Sequence, residues 1–281
     1  MADPTMGLIA GGGRLPLLEA MGMRDAGYRV ACVGLSGQYD AALRGVCDDF
    51  AESGVLNLGR WCRKLRKFGA TQAVMVGKVE KSQFLYHPAQ WLRHMPDWRT
   101  AKLYLWDCRR DKRSQSMLTG LANQLQKDGL ELIDTTRFIP QHMAGEGVLT
   151  NKAPGAQQLR DIDFVWPVLM RMNDLDIGQA VAAKDGDVIA VEAMEGTDRM
   201  IQRAGELCRK PGWVLAKGAP AKKDPRFDVP TIGVQTIENL AKAGAGCLVV
   251  AAGRVILIDK PDVLAAADKH SIAVVGKSVD L

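Results

Sequence analysis

Acidic side chains gather in two short irregular stretches in the second half of this 281-residue chain, and oxygen ligands of that type suit a hard cation. Asp224, Arg226 and Asp228 stand at i, i+2 and i+4 in "DPRFDVP", where Pro225 and Pro230 are expected to hold the chain extended and turn these side chains to one face. Glu195 and Asp198 form the second cluster, in "MEGTD". Magnesium needs only one or two carboxylates when phosphate oxygens complete its shell. A phosphate site is suggested near the other end of the chain. Gly11, Gly12 and Gly13 follow the apolar run Gly7 to Ala10 and precede a helical pattern, which would leave backbone N–H groups bare for an anion. Lys78 follows the apolar "AVMVG" and brings a cation to the end of another strand.

These groups need a scaffold, and the first half alternates strand and helix. Strands are expected at Gly7 to Ala10, Tyr28 to Val33, Ala73 to Val76 and Leu130 to Ile133, with helical patterns between them. That alternation implies a parallel sheet with ligands at the carboxyl ends of its strands. Pro16 stands where a dinucleotide fingerprint wants its third glycine. Tyr28 to Val33 runs into Gly34-Leu35-Ser36, not into an acidic ribose ligand, so NAD is disfavoured. No Gly-Lys-Ser/Thr follows the glycines, so a P-loop is excluded. Trp61, Leu65 and Phe68 recur at helical spacing among Arg60, Arg63, Lys64, Arg66 and Lys67, giving a basic amphipathic helix whose charged face is either solvated or placed against anionic headgroups. Phe84, Tyr86, Trp91, Trp98, Tyr104 and Trp106 crowd one segment, either as core or as an apolar ligand wall or membrane-facing lip. His87 and His94 lack a partner at ligand spacing and are read as non-catalytic.

Residues 135–150 are rich in Gly, Thr and Pro without periodicity and are expected to form a linker between a nucleotide-binding domain, 1–134, and a second domain, 151–281. There a helix is expected from Ala156 to Asn173, kinked at Pro167. Strands Gln179 to Ala183 and Val188 to Met194 should be joined by a type I′ turn at Asp185-Gly186. Thr197 or Asp198 should cap the helix carrying Met200, Ile201 and Ala204. Trp213 to Lys217, Cys247 to Ala252, Val255 to Asp259 and Ile272 to Val275 complete the expected strands. Lys and Arg number 37 against 32 Asp and Glu, an excess too dilute to argue for nucleic acid. The six cysteines show no metal spacing and suit a reducing compartment. With no signal peptide and no run that would cross a bilayer, the protein is expected to be cytoplasmic, soluble or peripherally attached.

Five motifs, "GLIAGGGRLP", "VMVGKV", "LDIGQAV", "VEAMEGTDRMI" and "DPRFDVPTIG", occur in order over essentially residues 6–276. Together they resemble the metal-dependent UDP-2,3-diacylglucosamine pyrophosphatase family of lipid A biosynthesis, formerly a domain of unknown function. The resemblance implies an α/β fold: an N-terminal Rossmann-like parallel sheet that binds UDP, and a C-terminal α/β domain of family-specific fold, with the active site in the cleft between them. It implies hydrolysis to UMP and 2,3-diacylglucosamine 1-phosphate (lipid X), with Mg²⁺ or another divalent cation such as Mn²⁺, and with water attacking the α-phosphorus. The family's catalytic aspartate maps to Asp224, either as metal ligand or as the base that orients water. Arg226 and Asp228 stand with it in the catalytic motif, Arg226 to meet charge on the phosphoryl oxygens. Glu195 and Asp198 would join Asp224 at the metal, and Gly11, Gly12, Gly13, Lys78 and Thr197 would contact substrate. The partners implied are UDP-2,3-diacylglucosamine and the inner face of the inner membrane, with no nucleic acid; a homodimer is the default by base rate. Two acyl chains require an apolar chamber, for which the segment from Phe84 to Trp106 or the helix from Ala156 to Met172 are candidates. The competing expectation is a nucleotide-sugar-binding regulatory module without catalysis.

Overall fold

The computed structural model describes residues 3–79, 97–102, 114–219, 224–227 and 229–279; Asp228, His87, His94, Cys108 and every aromatic residue named between 84 and 106 except Trp98 lie outside them. The chain divides into two compact units, Met1–Ile139 with Pro225–Asp228, and Pro140–Asp224 with Val229–Leu281. Both are α/β.

In the first unit the described order is β1 (Thr5–Ala10), α1 (Leu15–Asp25), β2 (Arg29–Leu35), α2 (Leu43–Val46), β3 (Asp49–Ser53), α3 (Leu58–Lys67), β4 (Gln72–Val76), α4 (Trp98–Lys102), α5 (Ser114–Lys127) and β5 (Glu131–Leu132). The five strands are parallel in the order β3-β2-β1-β4-β5. The order reverses beside β1, so the crevice outside the ends of β1 and β4 is where such sheets take ligands. Met6 and Leu8 of β1 pack with Met23 and Leu43 in one core cluster, while Ile9 packs with Trp61, Leu65 and Leu125 in another. Both faces of the sheet are thus covered, which is why β1 and β2 read as near-continuous apolar runs. In α3, Leu58 and Cys62 complete the buried stripe of Trp61 and Leu65; Phe68 is half-buried, and Arg60, Arg63, Arg66 and Lys67 are exposed. In this unit one strand escaped the sequence reading. β3, "DFAES", has only Phe50 and Ala51 as apolar residues, because it is an edge strand.

The second unit contains β6 (Gly147–Val148), α6 (Ala156–Asp174), β7 (Ala180–Lys184), β8 (Asp187–Val191), α7 (Thr197–Leu207), β9 (Trp213–Lys217), β10 (Thr231–Ile232), α8 (Val234–Lys242), β11 (Ala245–Ala251), β12 (Ile256–Leu257), α9 (Lys260–Lys269) and β13 (Ala273–Lys277). Its six-stranded sheet has the order β6-β13-β11-β9-β7-β8, with β10 and β12 forming a separate parallel pair. Asp185 and Gly186 take φ of 53° and 82°, as the expected hairpin turn requires. Pro167 lies inside α6. The stretch 135–150, expected as a linker, is built into structure instead: β6 pairs antiparallel with β13, Ala144 is buried, and the Thr150 hydroxyl accepts a hydrogen bond from Val274 N at 2.9 Å. A two-residue strand carries no readable period, so composition alone made it look like coil. The expected strand Val255 to Asp259 shortens to β12 because Asp259, with φ 50°, is the N-cap of α9. Cys32, Cys62 and Cys247 are buried, as expected of small apolar residues. Among the described residues no helix is long and apolar enough to cross a membrane.

Candidate active site

In the first unit, the residues after β1 and β4 are bound to each other. Gly11 N donates to Val76 O at 2.8 Å, Gly12 N to Lys78 O at 2.8 Å, and Lys78 N to Gly12 O at 2.9 Å. The expectation of three bare glycine N–H groups is therefore corrected: two are consumed inside the protein. Gly11 is needed for close approach, since a Cβ there would stand 2.7 Å from Lys78 O. Gly13 is different. It has φ +91° and open space where a Cβ would be, at the entrance to α1, so Gly13 and the helix start are what is left for an anion. Lys78 is brought to the same strand edge by this pairing. Gly13→Ala is expected to cost about 1–2 kcal/mol, the penalty for an L residue in the left-handed region, and Gly11→Ala distinctly more because the two backbones must part. Thermal unfolding of the two variants checks the ranking.

The helix after the glycines also carries a carboxylic acid into the core. Glu19 is 0 % exposed, and among the described residues neither carboxyl oxygen has a hydrogen-bond partner. Burial, reinforced by the charge of Asp134, pushes its pKa from 4.5 up to about 9, so it is neutral near pH 7. Its contribution to stability is complete below pH 4.5, where the unfolded chain is protonated too, and is lost as pH rises towards 9. At pH 7 the loss is about 3 kcal/mol. Urea unfolding across pH 5–9 should show the parent losing stability relative to Glu19→Gln, which has no proton to release.

In the second unit β8, β9, β11 and β13 run in one direction, and their carboxyl ends share an edge. Two charged residues are buried there, Glu192 just after β8 and Lys217 at the end of β9, each 5 % exposed. Thr197 joins them. Lys217 Nζ donates to Thr197 Oγ1 at 2.9 Å, and that hydroxyl donates to Glu192 Oε1 at 2.9 Å. Among the described residues Glu192 Oε2 has no hydrogen-bond partner, and neither does Gln179 Oε1 at the head of β7. Thr197 or Asp198 was expected to cap α7, but the N-cap is Gly196 with φ 81°, and no side-chain cap bond is made among the described residues. The Thr197 hydroxyl is committed to the buried network instead. A helix N-terminus without a side-chain cap, beside a buried ammonium group, is chemistry that suits a phosphate oxygen. Sequence reasoning passed over Glu192 and Lys217 as members of the site; the available signal was a charge at the end of each apolar strand.

The remaining candidates are spread more widely. Glu195 is ion-paired with Arg203, whose guanidinium holds that carboxyl below its usual range. Asp198 is exposed and accepts from Asn239 Nδ2 at 3.1 Å. Asp224 is half-buried in the second unit, while Arg226 belongs to the first, its guanidinium carbon 5.2 Å from the centre of the Phe227 ring. The chain from Pro225 to Phe227 turns; it is not extended, so the expected common face for Asp224, Arg226 and Asp228 does not follow. The cause is Phe227, which is 3 % exposed in the first unit's core, with Pro225 O accepting from Thr135 N at 3.1 Å and Thr135 Oγ1 at 2.9 Å. Among the described residues no three His, Cys, Asp or Glu stand together as a metal site. The donor set fits a cation that takes one or two carboxylates and finds its other ligands in phosphate and water, and the unpartnered Glu192 Oε2 is an oxygen of that kind.

Family models for the LpxI N-terminal domain and the LpxI C-terminal domain match residues 5–142 and 145–275. The chain belongs to the LpxI family. Among its relatives, the UDP-2,3-diacylglucosamine pyrophosphatase LpxI of Caulobacter vibrioides is 32% identical over 283 residues, covering 96% of each chain. The border between the two LpxI models falls within the stretch where a linker was expected, and both the glycine segment and the Glu192–Thr197–Lys217 network lie inside matched regions.

Proposed function

We propose that this LpxI-family chain is a UDP-2,3-diacylglucosamine diphosphatase of lipid A biosynthesis, releasing UMP and 2,3-diacylglucosamine 1-phosphate. The observation that carries the reading is the match to a pyrophosphatase along 96% of both chains. The first unit is read as Rossmann-like, since its strand order is that of doubly wound nucleotide-binding sheets. Uridine diphosphate would lie at its carboxyl edge, against Gly13 and Lys78. Thr197, fixed by Lys217 and Glu192, would offer a phosphate oxygen the start of α7. Arg226 would meet charge that grows on the phosphoryl oxygens.

Water attacks the α-phosphorus, forming a new P–O bond while the bond to the bridging oxygen breaks; that oxygen leaves with the sugar phosphate. Asp224 either takes the proton of that water or helps to hold a cation, and Asp228 supports it in the same motif. A divalent cation, Mg²⁺ or Mn²⁺, would supply charge neutralisation at the phosphate oxygens and a more acidic water. Asp224 with Glu195, Asp198 or Glu192 would provide its one or two protein carboxylates. The enzyme would work in the cytoplasm at the inner face of the inner membrane, where its diacylated substrate lies. Hydrolysis in H₂¹⁸O tests the reading: label in UMP is expected, label in the sugar phosphate would overturn the site of attack, and no cation-dependent turnover would overturn the activity.

A further inference from the structure

We propose that the basic cavity formed by α3, α4 and α5 in the first unit docks the protein onto the anionic headgroups of a lipid bilayer; the choice of a lipid surface rests on the diacyl-substrate reading above. The cavity has a volume of about 610 Å³, and among the described residues it is lined by Arg63, Arg66, Lys67, Arg99 and Lys127, with Asp128 as the one acidic residue. Five cations from three separate helices therefore face a single carboxylate among the described residues. That carboxylate is already engaged, with Arg99 Nη1 2.6 Å from Asp128 Oδ2, while Arg66 Nη1 donates to the Asp128 carbonyl at 3.0 Å.

Cations near the end of α3 are favoured by the helix dipole, which would explain Arg66 and Lys67 by themselves. Lys127 closes α5 and is favoured there in the same way, and Arg99 is held by Asp128; what these local causes leave over is the excess of cations around one cavity, which repel one another less when an anion is there to receive them. Arg63, Arg66 and Lys67 share one face of α3 because they are three and four residues apart, opposite the buried Trp61 and Leu65. Next to Arg99 in the chain, Trp98 is 73 % exposed. Its chain neighbours are Arg99 and Asp97, whose carboxylate accepts from Gly59 N and Thr100 N; an exposed amphipathic ring next to an arginine is the chemistry of a membrane–water interface, where the ring sits among headgroups and cations meet phosphates.

The test is flotation of the full chain with phosphatidylglycerol–phosphatidylcholine vesicles and with pure phosphatidylcholine vesicles. Binding should require the anionic lipid and weaken with salt. The Lys67→Glu/Lys127→Glu variant should bind at least tenfold more weakly, with unchanged thermal unfolding and unchanged hydrolysis of detergent-dispersed substrate. The milder Lys67→Gln/Lys127→Gln pair should give an intermediate loss and guards against misfolding of the reversal. Equal flotation of parent and variants, or no preference of the parent for anionic vesicles, overturns the docking face. So does a variant that loses hydrolysis in detergent, because the cavity would then serve the reaction. Lipid binding with these losses in the variants, but without hydrolysis by the parent, would support the docking face and overturn the diphosphatase reading instead.

Discussion

Replacing Asp224 with alanine is expected to lower kcat by about 10²–10⁴-fold, the range that a positioned acid–base group supplies, while UMP still binds. Asp224 sits on the chain that follows β9, the strand ending in the buried Lys217, and it is the last residue of the second unit before Pro225–Asp228 joins the first. The two roles proposed for it give different signatures. If it is the base, the loss is confined to kcat, and Mn²⁺ binding in the presence of UMP, followed by electron paramagnetic resonance, stays as in the parent. If it is a cation ligand, Mn²⁺ affinity falls with the rate, and Asp224→Asn fails to restore either. Turnover within a few-fold of the parent would remove Asp224 from the reacting centre.

Lys217→Met should be the most damaging single change to the second unit. It removes the cation behind Thr197 and leaves Glu192 buried with one hydrogen bond and no ion pair among the described residues, a situation that usually costs about 3–5 kcal/mol. A fall in Tm of roughly 10 °C is the expected reading in a thermal melt. Adding Glu192→Gln should recover a large part of that stability because the uncompensated charge goes with it. Activity should not return in the double variant, since the Thr197 hydroxyl has lost the ammonium group that donates to it and keeps only a neutral amide as its acceptor. Recovery of stability and activity together would make the network purely structural. A small effect of Lys217→Met on both would show that the buried ammonium group is not balancing Glu192.

The elements that could be read from sequence were those in which a local pattern and the tertiary environment agree. β9 matches its expected span from Trp213 to Lys217, since five consecutive residues are buried on both faces, and the Asp185-Gly186 turn needs only two residues in the left-handed region. β3 failed because an edge strand has little to bury. In the site, the residue types were readable and their partners were not. Nothing near Gly11 and Gly12 in the chain reveals that their N–H groups will be taken by Val76 and Lys78 carbonyls. The two prolines around Asp224 gave a sound local argument for an extended chain, and burial of Phe227 outweighed it. Glu192 and Lys217 each look like an ordinary charge at a strand end until the sheet brings both to one edge and Thr197 between them.

The loan of Pro225–Phe227 to the first unit bears on how the chain is made. Thr135 and the Pro225 carbonyl it binds are 90 residues apart, so the first unit cannot complete its core when Ile139 leaves the ribosome. At usual elongation rates the place of Phe227 is open for roughly 5 to 20 s, exposing apolar surface beside Ile9 and Leu65 that a chaperone or a neighbouring nascent chain could cover. A fragment cut after Ile139 would keep that gap permanently, and dissecting the protein at its apparent border should give an aggregation-prone piece.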